Sequence, residues 1–301
     1  MNEKHYSIDY KKKKYIFVIW LNIFVSVAEI VAGVISNSVS LISDGLHNFE
    51  DSFSLAISYI AWKFSFKKPD FNKTYGYKRV EIIAAFLNSI FLFGVCLFIF
   101  FESIFKFLNP SSINSKVMFS VGLITFFVNI FSAFLLHKDS SENINWKSSY
   151  LHLLGDSFFS IAIVIGAYFI EKFGVLFIDP LLSVLMSIYI AYQSYEVIKK
   201  TFNILMQASP DIDYIQIKKD IESLENVKNV HHIHCWMGDE KNLYFEAHVE
   251  VGDCLISSTC DLKKQIEKIL SEKYLINHST IQFEVDVCRI KEVIYEHKES
   301  F

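Results

Sequence analysis

His47-Asn48-Phe49-Glu50-Asp51 and His152-Leu153-Leu154-Gly155-Asp156 repeat one spacing, His-x-x-x-Asp, and each lies inside an apolar stretch long enough to cross a membrane. On an α-helix, positions i and i+4 share a face, so each pair aims an imidazole and a carboxylate in the same direction. Two such helices packed face to face offer two nitrogens and two oxygens. That donor set suits a tetrahedral, borderline-soft divalent ion, with Zn2+ the leading candidate. Mg2+ and Ca2+ want six or more oxygens. Cd2+ and Co2+ could use the same four groups, and affinity order alone favours Cu2+, which leaves selectivity to geometry.

The surroundings of the two pairs are those of a membrane protein. The chain has 301 residues, 52% of them hydrophobic and 21% charged, and a mean hydropathy of +0.30. Soluble domains run at about 45–50% apolar and about 25% charged. The uncharged runs fill the first two thirds; the last hundred or so residues have a soluble composition. A net charge of −4 gives no basic field for nucleic acid. Cys96, Cys235, Cys254, Cys260 and Cys288 form no CxxC pair. Four of the five fall in the C-terminal part, which suits a reducing compartment.

Working outward, the apolar pattern predicts six spans: 15–35, 41–62, 80–101, 117–136, 148–170, and one opened by Asp179-Pro180 and ending near Lys199-Lys200. Proline at a helix start costs little because its missing N–H has no partner there anyway. Lys11–Lys14, the loop from Lys63 to Arg79, Lys138 with Lys147, and Lys199-Lys200 fall on one face of this topology. The other face receives only Lys106, Lys116 and Lys172. The positive-inside rule therefore predicts both termini in the cytoplasm. The domain plan is a cytoplasmic segment over 1–14, a transmembrane domain over 15–205 and a cytoplasmic domain over 206–301.

In that last domain, helical spacing over 211–224 and 258–274 alternates with strand patterns over 230–236, 243–251 and 280–287, giving the order α-β-β-α-β of a small two-layer α+β domain. Strand alternation predicts His232 and His234 on one face, with His231 and Cys235 on the other.

Ionisable groups in a bilayer core cost about 2.5–3.5 kcal/mol each on insertion scales, so they need partners. Two carboxylates, two neutral imidazoles and a 2+ ion make a site of about zero charge, which a low-dielectric interior tolerates. Without the ion the same site carries −2 and takes up protons, and metal must displace them because ligands bind deprotonated. Exchange of metal for protons follows. The alternative for either pair alone is helix-to-helix hydrogen bonding as structural glue. Asp44, three residues before His47, orients the His47 ring from behind, sits in the entry path of the ion, or caps its helix. Asn22, Glu29 and Asn88 read as packing or water-cavity groups. A membrane metalloenzyme is the competing class, but catalytic zinc keeps an open position for water, whereas four protein ligands close the site, and the chain has no HExxH. A metal-gated channel or sensor is the third.

The chain resembles the cation diffusion facilitator family, its zinc-type members in particular. The likeness runs through Ser40–Asp51, Tyr75–Glu81, Tyr150–Asp156, Asp179-Pro180 and His231–Trp236. It implies a homodimeric divalent metal/proton antiporter, an integral membrane protein; the expected place is a bacterial inner membrane, with an organelle membrane as the alternative. It implies six spans, a ferredoxin-like cytoplasmic domain, and a zinc transport site at His47, Asp51, His152 and Asp156. It implies a regulatory metal site near His231, His248 and Glu284, where zinc is structural rather than cargo, with Gln282 standing where some members have His; the alternative reading of these residues is polar strand faces at a dimer contact. A broader cargo of Cd2+ or Co2+ fits the same resemblance. Two departures matter. Asp70 matches one ligand of a loop metal site, but Lys73 and Tyr77 stand at the His positions, and the connection from His137 to Lys147 is too short for a His-rich metal reservoir.

Overall fold

The computed structural model describes residues 2–137, 144–288 and 291–294, with side chains described from residue 17 onward and not for 144–149. The expected polar connection after His137 and the charges of Lys11–Lys14, Lys138 and Lys147 lie outside the described residues and side chains. The chain runs α1 (Asn2–Ser36), α2 (Val39–Ser65), α3 (Arg79–Leu108), α4 (Ser115–His137), α5 (Ile144–Phe173), α6 (Ile178–Leu205), α7 (Tyr214–Glu222), β1 (Val227–Met237), β2 (Leu243–Val251), α8 (Ile256–Tyr274) and β3 (His278–Glu284). It forms two compact units, Met1–Ala61 with Ala84–Ile198, and Trp62–Ile83 with Lys199–Phe301.

By length and composition, α1 from Phe17 onward, α3, α4, α5 from Tyr150 onward and α6 can cross a membrane. Composition thus marks five spans among the described residues where the sequence reading expects six. The remaining long helix, α2, has 27 residues but carries Asp44, His47, Glu50 and Asp51. The outward side chains of the helical unit are large and apolar, among them Phe24, Phe91, Phe98, Phe134 and Phe158, as lipid-facing surfaces require. Its interior holds Leu41, Met118, Ile163, Ala167 and Met186 together with small hydroxyl residues. Ser103 Oγ donates to Ser183 Oγ at 2.9 Å, and Asn129 donates to Ser160 Oγ at 3.4 Å, the polar contacts typical of packed membrane helices.

The α1–α2 corner is set by local chemistry. Asn37 adopts the left-handed conformation at φ 59°, and the Ser38 amide closes back on the Gly33 carbonyl at 2.9 Å, the usual way a helix satisfies its last carbonyls. The chain then doubles back at very short range. A Cβ on Gly45 would sit 2.8 Å from Glu29 Cβ and 2.9 Å from the Ile30 nitrogen, so only glycine allows α1 and α2 this approach.

The start of α2 is capped from another helix. Asp179, in the first turn of α6 and fully buried, accepts from the Val39 amide at 2.8 Å, the Ser40 amide at 3.2 Å, and the hydroxyls of Ser38 and Ser40 at 2.5 Å each. A carboxylate at a helix N-terminus satisfies donors that have no intrahelical partner and meets the positive end of the dipole.

In the C-terminal unit the sheet order is β1-β2-β3, with β1 and β2 antiparallel and β2 and β3 parallel. The observed α7-β1-β2-α8-β3 order is the one that the sequence pattern predicts. Asp213 caps α7 through the Gln216 amide at 3.0 Å. Phe245, Ala247, Val249 and Val251 of β2 bury against Ile217 and Ile221 of α7 and Ile266 and Leu270 of α8. One sequence expectation fails here. Simple alternation puts His231 and Cys235 on the same face, but the β1–β2 register shifts between His231 and His234, and His232 sits at φ 52°. A bulge adds one residue to the strand and flips everything after it. Cys235 therefore lies in the core, while His231 lies across from His248, on the opposite face of the sheet.

Replacing Asp179 by Ala strands four buried donors, and should lower the unfolding free energy of the detergent-solubilised protein by about 2–4 kcal/mol. Asp179→Asn should cost less, because the amide oxygen still accepts. Thermal unfolding of the two variants against the parent protein measures both effects.

Candidate metal centre

The two His-x-x-x-Asp pairs face each other across α2 and α5. His152 Nε2 lies 2.8 Å from Asp51 Oδ2, a contact between helices 101 residues apart in the chain. His47 Nε2 lies 3.6 Å from Asp51 Oδ2 and 3.9 Å from Asp156 Oδ1, and His152 Nε2 lies 3.7 Å from Asp156 Oδ2. The donors of a tetrahedral site with bonds of about 2.0–2.2 Å stand about 3.3–3.6 Å apart. Of these four edges one, at 3.6 Å, falls within that range, two are slightly longer, and one has closed into a direct hydrogen bond. His47 and Asp156 are buried, whereas Asp51 and His152 are partly open, at 31% and 45% side-chain exposure. That opening is a cavity of about 260 Å³ between α1, α2, α4 and α5, lined by Asn22, Asn48, Asp51, Leu136, His152 and Asp156 among others.

The groups around this ring take distinct parts. Glu50 and Asp51 each offer an oxygen within 4.8 Å of a His47 nitrogen, all three mutually close. Glu50 is the functional-site neighbour that sequence reasoning passed over; its position three residues after His47, on the same helical face, was the available signal. Asn88 of α3 donates to the Glu50 carboxylate and, at 2.9 Å, to Ser54 Oγ, so it positions Glu50 from a third helix. Asp44 accepts from Ser160 Oγ at 3.2 Å, while His47 Nδ1 has no hydrogen-bond partner among the described residues. Asp44 is thus tied to α5 and not to the back of the His47 ring. Asn48 of α2 reaches Glu29 of α1 at 3.3 Å.

A second cluster lies in the C-terminal unit, on the face of the sheet away from its core. His231 Nε2 is 3.0 Å from Glu284 Oε1, and His248 Nδ1 is 3.1 Å from Glu284 Oε2. Cys288 joins them, its Sγ 3.5 Å from Glu284 Oε2 and 3.7 Å from His248 Nδ1. The residues named from the resemblance are brought together, and Cys288 is added to them; Gln282 is exposed on β3. Asp286, at φ 49°, turns the chain back after β3, and no periodicity in the sequence foretells that turn. Burial holds the His231 imidazole below the ordinary histidine range, which keeps it in the neutral, ligating form. Burial and the Glu284 carboxylate hold the Cys288 thiol above its usual range. In the loop after α2, the Asp70 carboxylate accepts from the Tyr77 hydroxyl at 2.6 Å and from the Asn72 and Lys73 amides at 3.0 and 2.9 Å.

The helical unit turns large apolar side chains outward and ionisable groups inward, and the proteins it resembles are membrane transporters and not enzymes. Residues 15–206 match the cation efflux transmembrane domain, and residues 209–286 match the cytoplasmic domain of cation efflux proteins. The chain belongs to this family, the cation diffusion facilitators, and is an integral membrane protein. Similar relatives include the cadmium, cobalt and zinc/H(+)-K(+) antiporter of Bacillus subtilis, 34% identical over 86% of this chain and 85% of its own length. The zinc transporter ZitB of Yersinia pestis is 32% identical over 94% of this chain and 91% of its own. The metal cation efflux system protein CzcD of Cupriavidus metallidurans is 31% identical over 87% and 83%.

The geometry makes an accessibility prediction. In a protein whose native cysteines are replaced by serine, Asn22→Cys lines the cavity and should react with a water-soluble thiol reagent. Phe24→Cys, two residues on and 73% exposed toward the lipid side, should remain unlabelled. Equal labelling of the two would show that water does not reach the cavity.

Proposed function

We propose that this chain exports Zn2+ from the cytosol in exchange for protons, through a tetrahedral site of His47, Asp51, His152 and Asp156. The observation that carries the reading is the approach of the two His-x-x-x-Asp pairs, with His152 Nε2 2.8 Å from Asp51 across α2 and α5. Two imidazoles and two carboxylates at this spacing favour a four-coordinate borderline ion over Mg2+ or Ca2+. The relatives named for zinc, cadmium and cobalt support a divalent transition-metal cargo.

In this reading α2 is the sixth span, made marginal in composition by the very groups that bind the ion. The transmembrane domain covers 15–205, preceded by a cytoplasmic segment over 1–14 and followed by a ferredoxin-like cytoplasmic domain over 206–301. Lysine bias in the loops puts both termini in the cytoplasm, and the bacterial relatives support a place in the inner membrane. The C-terminal unit joins two copies into a homodimer, and His231, His248 and Glu284 bind a regulatory metal there. Asp44 braces α2 against α5 through Ser160, one turn along from Asp156. The open flank at Asp51 and His152 is the route by which ion and protons come and go.

Two experiments test the proposal. Zinc uptake into inverted vesicles under an imposed pH gradient, compared with Cd2+, Co2+ and Mn2+, should show accumulation driven by protons, and Asp51→Ala should fall to the background rate. If two protons leave as zinc binds, zinc affinity should rise by up to about a hundredfold per pH unit while both sites are protonated. Affinity that does not change with pH contradicts proton exchange at this site.

A further inference from the structure

We propose that Cys288 is a thiolate ligand of the C-terminal metal site, and that metal there clasps the segment after β3 onto the edge of the sheet. The proposal rests on the reading of His231, His248 and Glu284 as metal ligands and adds a fourth donor that the family resemblance did not supply. The match to the family's cytoplasmic domain ends at residue 286, so Cys288 lies just beyond it.

Geometry carries the assignment. One atom each of His231, His248, Glu284 and Cys288 falls within 4.8 Å of all the others. With one bond to sulfur of about 2.3 Å and others near 2.0–2.2 Å, tetrahedral donors stand about 3.3–3.8 Å apart. Cys288 Sγ meets that spacing toward both Glu284 Oε2, at 3.5 Å, and His248 Nδ1, at 3.7 Å. Two atoms of the cluster also lack what burial demands. His231 Nε2 and Glu284 Oε1 are buried and 3.0 Å apart, yet neither makes a directed hydrogen bond. Buried polar atoms rarely go unsatisfied, and an ion between them would satisfy both. The charges close as well: one thiolate, one carboxylate and two neutral imidazoles balance a 2+ ion. Sulfur shifts the preference toward softer ions, so this site favours Zn2+, Cd2+ or Co2+ over hard oxygen-seeking cations.

The clasp follows from where the neighbouring backbone goes. Four residues past Cys288, the Glu292 carbonyl accepts from the His232 amide at 3.0 Å, and the Val293 carbonyl accepts from the Ile233 amide at 2.7 Å. Those amides belong to the bulge in β1 and have been turned out of the ladder with β2. Lys291 pairs with Glu250 at 2.7 Å. A ligand at 288 therefore anchors one end of a segment whose other end is already paired with β1, and short chain closure makes that anchoring cheap in entropy.

Cobalt reports the ligand directly, because a thiolate bound to Co2+ gives a charge-transfer absorption in the near ultraviolet and the His/Asp site in the membrane holds no sulfur. Full-length protein titrated with Co2+ should develop this band. Cys288→Ser should abolish it and weaken cobalt binding at the C-terminal site by at least about tenfold, the loss usual even for an outer partner of a ligand. Cys254→Ser and Cys260→Ser should leave it intact. Trypsin cleavage after Lys291 should slow on adding Co2+ to the parent protein and not to Cys288→Ser. Cobalt binding that depends on His248 but shows no thiolate band overturns the role of Cys288 and leaves the regulatory site standing. If His248→Ala changes neither cobalt stoichiometry nor the spectrum, the site itself is refuted and the clasp with it.

Discussion

A buried carboxylate needs a partner that meets its charge, and two carboxylates of the helical unit find theirs in the same two histidines. Asp51 and Asp156 come from different helices, and each faces both histidines: Asp51 is 2.8 Å from His152 and 3.6 Å from His47, and Asp156 is 3.7 and 3.9 Å from them. Each carboxylate thus meets one imidazole of its own helix and one of the other, and the cross-helix contacts tie α2 to α5. Bound metal, on the proposed function, then brings the set to neutrality, and protons do so when metal leaves.

The rest of the unit keeps α2 where those side chains can meet. Gly45 lets α1 press against α2 at backbone distance. Asp179 ties the first turn of α2 to the first turn of α6 through four donors. Asn88 of α3 holds Glu50, and Ser160 of α5 holds Asp44. α2, which carries Asp44, His47, Glu50 and Asp51, is thereby held at its start and along its polar face by α1, α3, α5 and α6. The C-terminal unit solves a similar problem with a sheet. There His231, His248 and Glu284 sit on the face opposite the core, and the β1 bulge turns the amides of His232 and Ile233 toward the carbonyls of Glu292 and Val293.

Much of this was legible in the residues, for reasons that can be stated. Spacing of i and i+4 fixes a helical face without any tertiary knowledge, so the His47–Asp51 and His152–Asp156 pairs, and the fact that they could meet, followed from the sequence. Strict alternation from Leu243 to Val251 marked β2 to the residue. What was hidden depends on non-local or irregular backbone. Asp179 reads as an ordinary helix start beside Pro180, and nothing in its neighbourhood says that it caps a helix 140 residues earlier. The bulge at His232 defeats parity counting, because a single added residue exchanges the two faces of a strand. Cys288 follows a left-handed turn at Asp286, a conformation that aspartate adopts readily but no pattern requires.

In the proposed function two imidazoles and two carboxylates surround one ion within the membrane. Zinc K-edge X-ray absorption on His248→Ala protein, loaded with a single zinc so that the C-terminal site does not compete, reads that shell directly. Four ligands at about 2.0–2.2 Å are expected, two of them with the outer-ring scattering of imidazole and none of them sulfur. A shell of six oxygens, or one containing sulfur, would contradict it.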